Sequence, residues 1–145
     1  MFKTILAPHD GSPLSEKAVH AAIRFAEEYG CKLVGISVAE PYPYSPLSET
    51  AFSDERMVYE DKMRTIAEEH AQKIVDAARA RNVPVETIVT QSFSPYEEII
   101  NAAAKWNCDV IFMASHGRKG MSRLFIGSET QKVLANTTIP VMVFR

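Results

Sequence analysis

The chain has 145 residues, of which 46% are hydrophobic and 23% charged, so it has room for one globular domain covering residues 1–145. Its formal net charge of −2 lacks the basic excess on which nucleic-acid binding depends. No apolar run approaches the roughly 20 residues that cross a bilayer, and the apolar N-terminal segment is too short for a signal peptide. We therefore expect a cytoplasmic protein without a nucleic-acid or membrane partner.

The chain opens with an apolar run, residues 2–8, that is short enough for a buried strand. Ser12 then stands where a helix N-cap is expected, with Pro13 at the first helical position. Small apolar residues at spacings of three and four predict a helix that continues to Tyr29, and Gly30 ends it.

The middle of the chain repeats this pattern. Residues 31–39 predict a second strand, three prolines within 41–46 predict a loop, and residues 53–81 predict a long helix. Val85–Gln91 is the third predicted strand. Cys31 directly precedes one of these apolar runs, and Cys108 precedes a later one; we interpret both as small buried hydrophobic residues of a reducing compartment.

The last third contains two more strand-and-helix pairs. Ser94 and Pro95 predict the start of a helix that runs to Trp106, and residues 109–115 predict the fourth strand. A glycine-bearing loop at 116–126 leads to Gly127 and Ser128, which open a helix to Asn136. Residues 139–144, from Ile139 to Phe144, form the final predicted strand.

This alternation of strands and helices predicts the fold class. Each parallel crossover needs a covering helix and is right-handed, and strands that are apolar on both faces lie in a sheet that is buried on both sides. We predict a three-layer, doubly wound α/β fold with a five-stranded parallel sheet in the order 3-2-1-4-5. Ligands of such folds bind beyond the carboxyl ends of the strands where the order reverses, here between strands 1 and 4.

Two segments meet at that point: residues 8–12 and residues 114–130. The second segment has glycines that let backbone N–H groups approach a phosphate, and a helix start that adds unpaired donors. Cationic and hydroxyl side chains add to it: Arg118, Lys119, Arg123, Ser128 and Thr130. The alternative is purely structural: the glycines shape a loop, Ser128 caps a helix, and Asp10 belongs to an ordinary strand-to-helix turn.

The same segment carries a family resemblance. VIFMASHGRKG at 110–120, GSETQKVL at 127–134, ILAPHDGS at 5–12 and IPVMV at 139–143 resemble the universal stress protein family over essentially the full chain. Nucleotide-binding members of that family show G-x-x-G, nine residues, and then G-S or G-T. Here Gly117, the nine residues 118–126, and Gly127-Ser128 match, whereas Ala114 replaces the first glycine.

The resemblance implies an adenine nucleotide alpha hydrolase-like fold and a role in stress response or signalling. It also implies ATP or AMP as the ligand, bound either with or without Mg²⁺. It places Pro8, His9 and Asp10 at the adenine and ribose end, the Val38 backbone at the adenine edge, and Met113 and Ala114 beneath the ribose. It assigns the phosphates to Gly117, Gly127, Ser128, Glu129 and Thr130, and it leaves His116 and Arg118 as site residues or solvated loop. We assign His9 no catalytic task; its ring either stacks or points to solvent.

Three functions remain open: a nucleotide-binding stress or signalling protein, a slow ATP-hydrolysing enzyme, and a dimeric scaffold without a nucleotide. The sequence favours the first, because it has no G-x-x-x-x-G-K-[ST] motif and no nucleophile–base pair that we can assign, so we name no catalytic residue and no metal ligand. The retained glycines argue against the third. The apolar final strand is an expected sheet edge, and family members commonly dimerise there, so we also expect a homodimer through Ile139 to Phe144.

Overall fold

The computed structural model describes residues 1–43, 53–118 and 125–145, in which five strands alternate with four helices. In chain order the elements are β1 (Thr4–Pro8), α1 (Pro13–Tyr29), β2 (Lys32–Ala39), α2 (Ser53–Arg79), β3 (Val85–Gln91), α3 (Pro95–Lys105), β4 (Val110–Ala114), α4 (Ser128–Asn136) and β5 (Val141–Phe144).

The five strands form one parallel sheet in the order β3-β2-β1-β4-β5, which confirms the predicted fold class. Successive side chains of a strand point to opposite faces, and the two faces are covered by different helices. Ile5 of β1 packs with α1 and α2, whereas its neighbour Leu6 packs with α3 and α4. Strand order reverses at β1, so the loops after β1 and β4 leave the sheet side by side.

The local start and stop signals hold with one exception. The Ser12 hydroxyl accepts a hydrogen bond from the Ser15 N–H at 3.1 Å, and Gly30 ends α1 in the left-handed region at φ 69°. Ser94 occupies the N-cap of α3, but its side chain makes no capping bond. Instead its backbone N–H donates to the Ser92 hydroxyl at 3.0 Å, so the predicted cap is itself held by the preceding serine.

Several element ends differ from the prediction by one to three residues. The strand β4 ends at Ala114, and β5 begins only at Val141, after Pro140. The helix α2 ends at Arg79, and Asn82 beyond it adopts φ 55°. Propensity locates helix ends poorly, because fraying and turn geometry decide them.

Both cysteines are buried and free, as predicted. Burial raises the pKa of the Cys108 thiol to about 11, so this group is an inert thiol at neutral pH. Within the described residues, no helix combines the length and the apolarity that crossing a membrane requires.

Candidate functional site

A cavity of about 480 Å³ opens at the carboxyl ends of the strands, where the sheet order reverses. Its volume lies in the range typical of small-molecule sites. Thirteen of the residues that the sequence singled out line it: Pro8, His9, Asp10, Val38, Met113, Ala114, His116, Gly117, Arg118, Gly127, Ser128, Glu129 and Thr130. Among the described residues, seven more line it that the sequence did not single out: Ser15, Ile36, Glu40, Ser92, Phe93, Pro95 and Ile99.

Asp10 bridges the two loops at the switch point. Its Oδ1 accepts the Ser12 N–H at 2.9 Å, and its Oδ2 accepts the Arg118 N–H at 3.1 Å across the cavity mouth. Burial opposes ionisation of this carboxyl, but hydrogen bonds involving Ser12, Ser15 and Arg118 together hold the pKa of Asp10 below its ordinary value of 3.8. Asp10 is therefore a fixed carboxylate at neutral pH.

Two glycines lie at close approaches within the protein. A Cβ on Gly117 would fall on the Asp10 Oδ2, so the carboxylate occupies the space that a side chain would need. A Cβ on Gly127 would stand 3.1 Å from the His116 Cα and 3.2 Å from the Ser115 carbonyl oxygen. The glycine pattern therefore keeps the loop after β4 packed against both Asp10 and the start of α4.

The start of α4 supplies backbone N–H groups that could bind an anion, but the Gly127 N–H, which the sequence also suggested, has a partner within the protein. The Gly127 N–H donates to the Ser115 carbonyl at 2.6 Å, and the Arg118 N–H donates to Asp10, so neither amide is aimed at a ligand. The first-turn amides of Ser128, Glu129 and Thr130 have no carbonyl within the helix to bond, and the Gly127 cap offers no side chain. These three donors and the positive end of the helix dipole border the cavity.

Two side chains in the first turn of α4, those of Glu129 and Thr130, have partners within the protein. The Thr130 hydroxyl is buried and donates to the Ala114 carbonyl at 2.8 Å, which ties α4 to the end of β4. The Glu129 Oε2 accepts the Tyr96 N–H at 2.9 Å and so satisfies a first-turn amide of α3. Their side chains thus serve the scaffold, and only their backbone amides remain for a ligand. Sequence alone could not separate these roles, because both partners come from elsewhere in the chain.

His9 is packed rather than pointed to solvent, since only 5% of its surface is exposed. Its ring stacks on His70 of α2, with centroids 5.2 Å apart and an angle of 24° between the planes. His70 is half-buried, whereas the other helical histidine, His20, is exposed and lies 3.7 Å from Glu16. In the loop after β4, the His116 Nδ1 lies 3.1 Å from the Ser115 hydroxyl oxygen.

The end of β2 leaves backbone groups unpaired in the sheet. The last β1–β2 pair is Pro8 with Ile36, and the His9 N–H donates to the Ile36 carbonyl at 2.9 Å. Alternate residues of a parallel strand turn their N–H and C=O to the same side, so those of Val38 also face β1. Because β1 has already ended there, the N–H and C=O of Val38 border the cavity without a backbone partner among the residues that the structure describes.

Phe93 is the main lining residue that the sequence analysis missed. It is 61% exposed at the cavity, in the loop after β3. The Ser92 N–H donates to the Ala39 carbonyl at 3.1 Å and its hydroxyl accepts from Ser94, so the loop around Phe93 is anchored. The sequence feature that could have indicated Phe93 is a large aromatic residue between two serines at the end of a predicted strand.

Part of the predicted segment 114–130 lies outside the described residues: Lys119, Gly120, Ser122 and Arg123. Tyr42, which follows β2, packs edge-on against Tyr59 of α2 with ring centroids 5.4 Å apart. A loop aromatic is thus held against a neighbouring helix.

Comparison with known proteins identifies the family of the chain. The model of the universal stress protein family matches residues 1–145. The chain belongs to the universal stress protein family. A universal stress protein of Thermus aquaticus is 34% identical over 146 residues, which cover 100% of both chains.

Solved structures share the fold. The structure of MJ0577, a universal stress protein of Methanocaldococcus jannaschii, superposes with a TM-score of 0.83 at 24% identity, covering 99% of this chain and 96% of that one. A universal stress protein solved in complex with cAMP gives a TM-score of 0.72 at 20% identity over 99% and 97% of the two chains. One from Archaeoglobus fulgidus, solved with dAMP, gives 0.65 at 16% identity over 100% and 98%. At these identities the likeness shows the fold alone.

Proposed function

We propose that this chain binds an adenine nucleotide, ATP or AMP, in the cavity at the switch point and acts as a nucleotide-responsive protein of stress response or signalling. One observation carries the proposal: three first-turn amides of α4 line the same cavity as the unpaired backbone of Val38. A nucleotide needs both kinds of contact, since its phosphate is an anion and its base edge carries donors and acceptors.

The Val38 backbone suits adenine better than guanine. A neighbouring N–H and C=O can donate to adenine N1 and accept from its amino group, whereas guanine presents a carbonyl oxygen and an N–H in the reversed order. The apolar side chains of Ile36, Ile99 and Met113 line the same cavity and supply the surface against which a base and ribose are buried.

The phosphate end is favoured by backbone amides and the helix dipole. Unpaired N–H groups at a helix start, together with the dipole, favour bound anions. Two proteins of the same fold, solved with cAMP and dAMP, agree with an adenine nucleotide as the ligand class. We propose that the nucleotide binds together with Mg²⁺, which its phosphates coordinate. The cytoplasmic location also remains a prediction.

Nucleotide release from purified protein tests the proposal. We expect the supernatant of the denatured protein to contain ATP or AMP on nucleotide chromatography, and calorimetry on nucleotide-free protein to show tighter binding of ATP than of GTP. Absence of binding by either nucleotide would favour the scaffold hypothesis. Steady release of phosphate or pyrophosphate that is lost on Asp10→Ala would favour the slow hydrolase.

Phe93→Ala is expected to weaken ATP binding about tenfold, because stacking a base on an aromatic ring contributes roughly 1–3 kcal/mol. Phe93→Tyr keeps the ring and is expected to bind within about twofold of the unaltered protein. Calorimetry measures both affinities. An unchanged affinity for Phe93→Ala would show that the ring does not cover the base.

We also propose that the chain forms a homodimer through β5, which lies at one edge of the sheet. Met142 on this strand is 42% exposed, so pairing through this edge would cover an apolar side chain. The carbonyls of Pro140 and Phe144 accept bonds from Ile111 and Ser115, so the backbone groups of Val143 face outward.

Val143→Pro is therefore expected to give a monomer, because it removes an outward N–H while the ladder with β4 remains. Light scattering coupled to gel filtration reports the mass. Met142→Pro, which removes an inward N–H, is the contrasting variant and is expected to lower the melting temperature. A Val143→Pro protein that remains dimeric would contradict pairing through this strand.

A further inference from the structure

The turn that carries Asp10 is held by a pair of histidines. We call residues 9–12 the Asp10 turn. The His9 N–H donates to the Ile36 carbonyl at 2.9 Å, and its carbonyl accepts the Ser37 hydroxyl at 3.0 Å. The His9 Nδ1 accepts the Gly11 N–H at 2.9 Å. A ring nitrogen accepts only when it carries no proton, so this last bond requires a neutral His9.

A second ring closes the turn from helix α2. His70 stacks on His9, and its Nε2 and Cε1 lie 2.5 and 2.6 Å from the position that a Cβ on Gly11 would take. Gly11 itself adopts φ 86°, a conformation that favours glycine. The backbone at Gly11 is thus enclosed between its own neighbour His9 and a ring 59 positions further along the chain.

The enclosed turn sets the position of the carboxylate at the cavity. Asp10 lies between His9 and Gly11, and its two oxygens accept from Ser12 within the turn and from Arg118 across the mouth. A shift of the Gly11 peptide would therefore move Asp10 relative to the loop after β4. His70 does not line the cavity, so it would act on a ligand through this turn and through its charge rather than by contact.

We propose that His9 and His70 are a positioning pair that holds Asp10 in its ligand-binding place only while both rings are neutral, so that acidification weakens nucleotide binding. This inference rests on the proposed function. Protonation of the His9 Nδ1 removes the acceptor of the Gly11 N–H. Protonation of both rings places two cations in a stack, and their repulsion opens the turn.

The charges around the pair have both signs. Burial is the main cause that lowers the pKa of His9, with a further lowering by His70 and Lys73, whereas Asp10 and Glu16 raise it. Burial also lowers the pKa of His70, as do Arg118 and Lys73, against the opposing effect of Asp10 and Glu69. His20 and Asp76 border the groove between α1 and α2 on the other side of His9. Both rings are therefore neutral at pH 7 and take up protons below their ordinary pKa of 6.5.

The test compares ATP affinities from pH 8 to pH 5.5 by calorimetry for the unaltered protein, His70→Phe, His70→Gln and the control His20→Gln. His70→Phe keeps a stacking ring that does not titrate; His70→Gln removes the stack. The phosphates of ATP titrate alike in all four experiments, so ratios between proteins at each pH isolate the effect of the pair. Circular dichroism at each pH confirms that the proteins are folded.

We expect the unaltered protein and His20→Gln to lose affinity between pH 8 and 5.5, by up to about tenfold for each ring, because only the neutral fraction binds and the pKa of each ring lies below 6.5. His70→Phe should match them at pH 8 and lose less on acidification, and His70→Gln should already be about tenfold weaker at pH 8. If His70→Phe does not fold, His70→Gln decides alone. Affinities that follow one pH profile in all proteins, with His70→Gln unweakened, would overturn the proposal.

The amide resonance of Gly11 separates this inference from the proposed function. In a ¹⁵N-correlated NMR titration without nucleotide, it is expected to move with the same pH midpoint as the loss of affinity, and to move less in His70→Phe. Absence of ATP binding by the unaltered protein at every pH would overturn the nucleotide assignment and the coupling to it. Binding at pH 8 with a Gly11 resonance that does not respond to His70→Phe would overturn the pair alone.

Discussion

Gly127→Val is expected to abolish measurable nucleotide binding. A Cβ at this position would stand 3.1 Å from the His116 Cα and 3.2 Å from the Ser115 carbonyl oxygen, and these are backbone atoms that cannot rotate away. The Cβ alone requires these neighbours to give by a few tenths of an ångström, and the two γ-methyl groups of valine add to the crowding. We expect them to push the loop after β4 away from α4 and to break the 2.6 Å bond between the Gly127 N–H and Ser115. The first-turn amides of α4 would then no longer border the cavity. Calorimetry is expected to show a loss of at least about 100-fold, or roughly 2.7 kcal/mol.

Two further substitutions separate this effect from a general loss of glycine. Gly127→Ala adds the Cβ without a branch and is expected to show an intermediate loss. Gly30→Asn lies at the end of α1, where nothing stands within 4 Å of a Cβ, and Asn tolerates the left-handed conformation found there. It should leave affinity unchanged. ATP binding by Gly127→Val with the affinity of the unaltered protein would refute the placement of the phosphates at α4.

Gly117→Ala is expected to weaken binding by about ten- to a hundredfold through Asp10 rather than through the phosphates. The new methyl group would occupy the place of the Asp10 Oδ2, so the carboxylate must leave and its bond from the Arg118 N–H is lost. A double-mutant cycle with Asp10→Ala, which removes the clashing carboxylate, measures this coupling. We expect Gly117→Ala to cost much less affinity in the Asp10→Ala background. Equal costs in both backgrounds would contradict the mechanism.

Gly117→Ala is also expected to change how the free energy of unfolding depends on pH. The pKa of Asp10 is lower in the folded than in the unfolded chain, so its contribution to stability is present above the unfolded pKa of 3.8 and is lost as pH falls through the folded value. Gly117→Ala removes one of the hydrogen bonds responsible. Urea unfolding should therefore show a stability gap between the two proteins at pH 7 that narrows below about pH 3.8. A gap that persists at low pH would mean that the methyl group acts through packing alone.

The two halves of the site were not equally predictable. Asp10, Gly117 and Gly127 could be named from sequence because they follow strands that the topology brings together, and position at a switch point is a property of chain order. The partners of Glu129 and Thr130 could not be named in this way. The Glu129 side chain accepts from the Tyr96 N–H, and the Thr130 hydroxyl donates to the Ala114 carbonyl. A sequence pattern does not show which of several nearby groups a hydroxyl or carboxylate will bond to.

The contact between His9 and His70 and the position of Phe93 at the cavity could not be predicted from sequence, for a related reason. In the sequence pattern of α2, His70 is an ordinary polar residue. Its ring reaches His9 because that helix packs over the Asp10 turn. Phe93 follows β3, which lies two strands away from β1, so strand order alone does not place it at the cavity.

The architecture follows from the order of apolar strands and amphipathic helices, because every strand of a doubly wound sheet must be covered on both faces and every crossover is right-handed. The same order shows which two loops meet. The role of each polar group in those loops emerges from the folded chain alone, since hydrogen bonds and ring stacking depend on distances of a few tenths of an ångström between residues far apart in sequence.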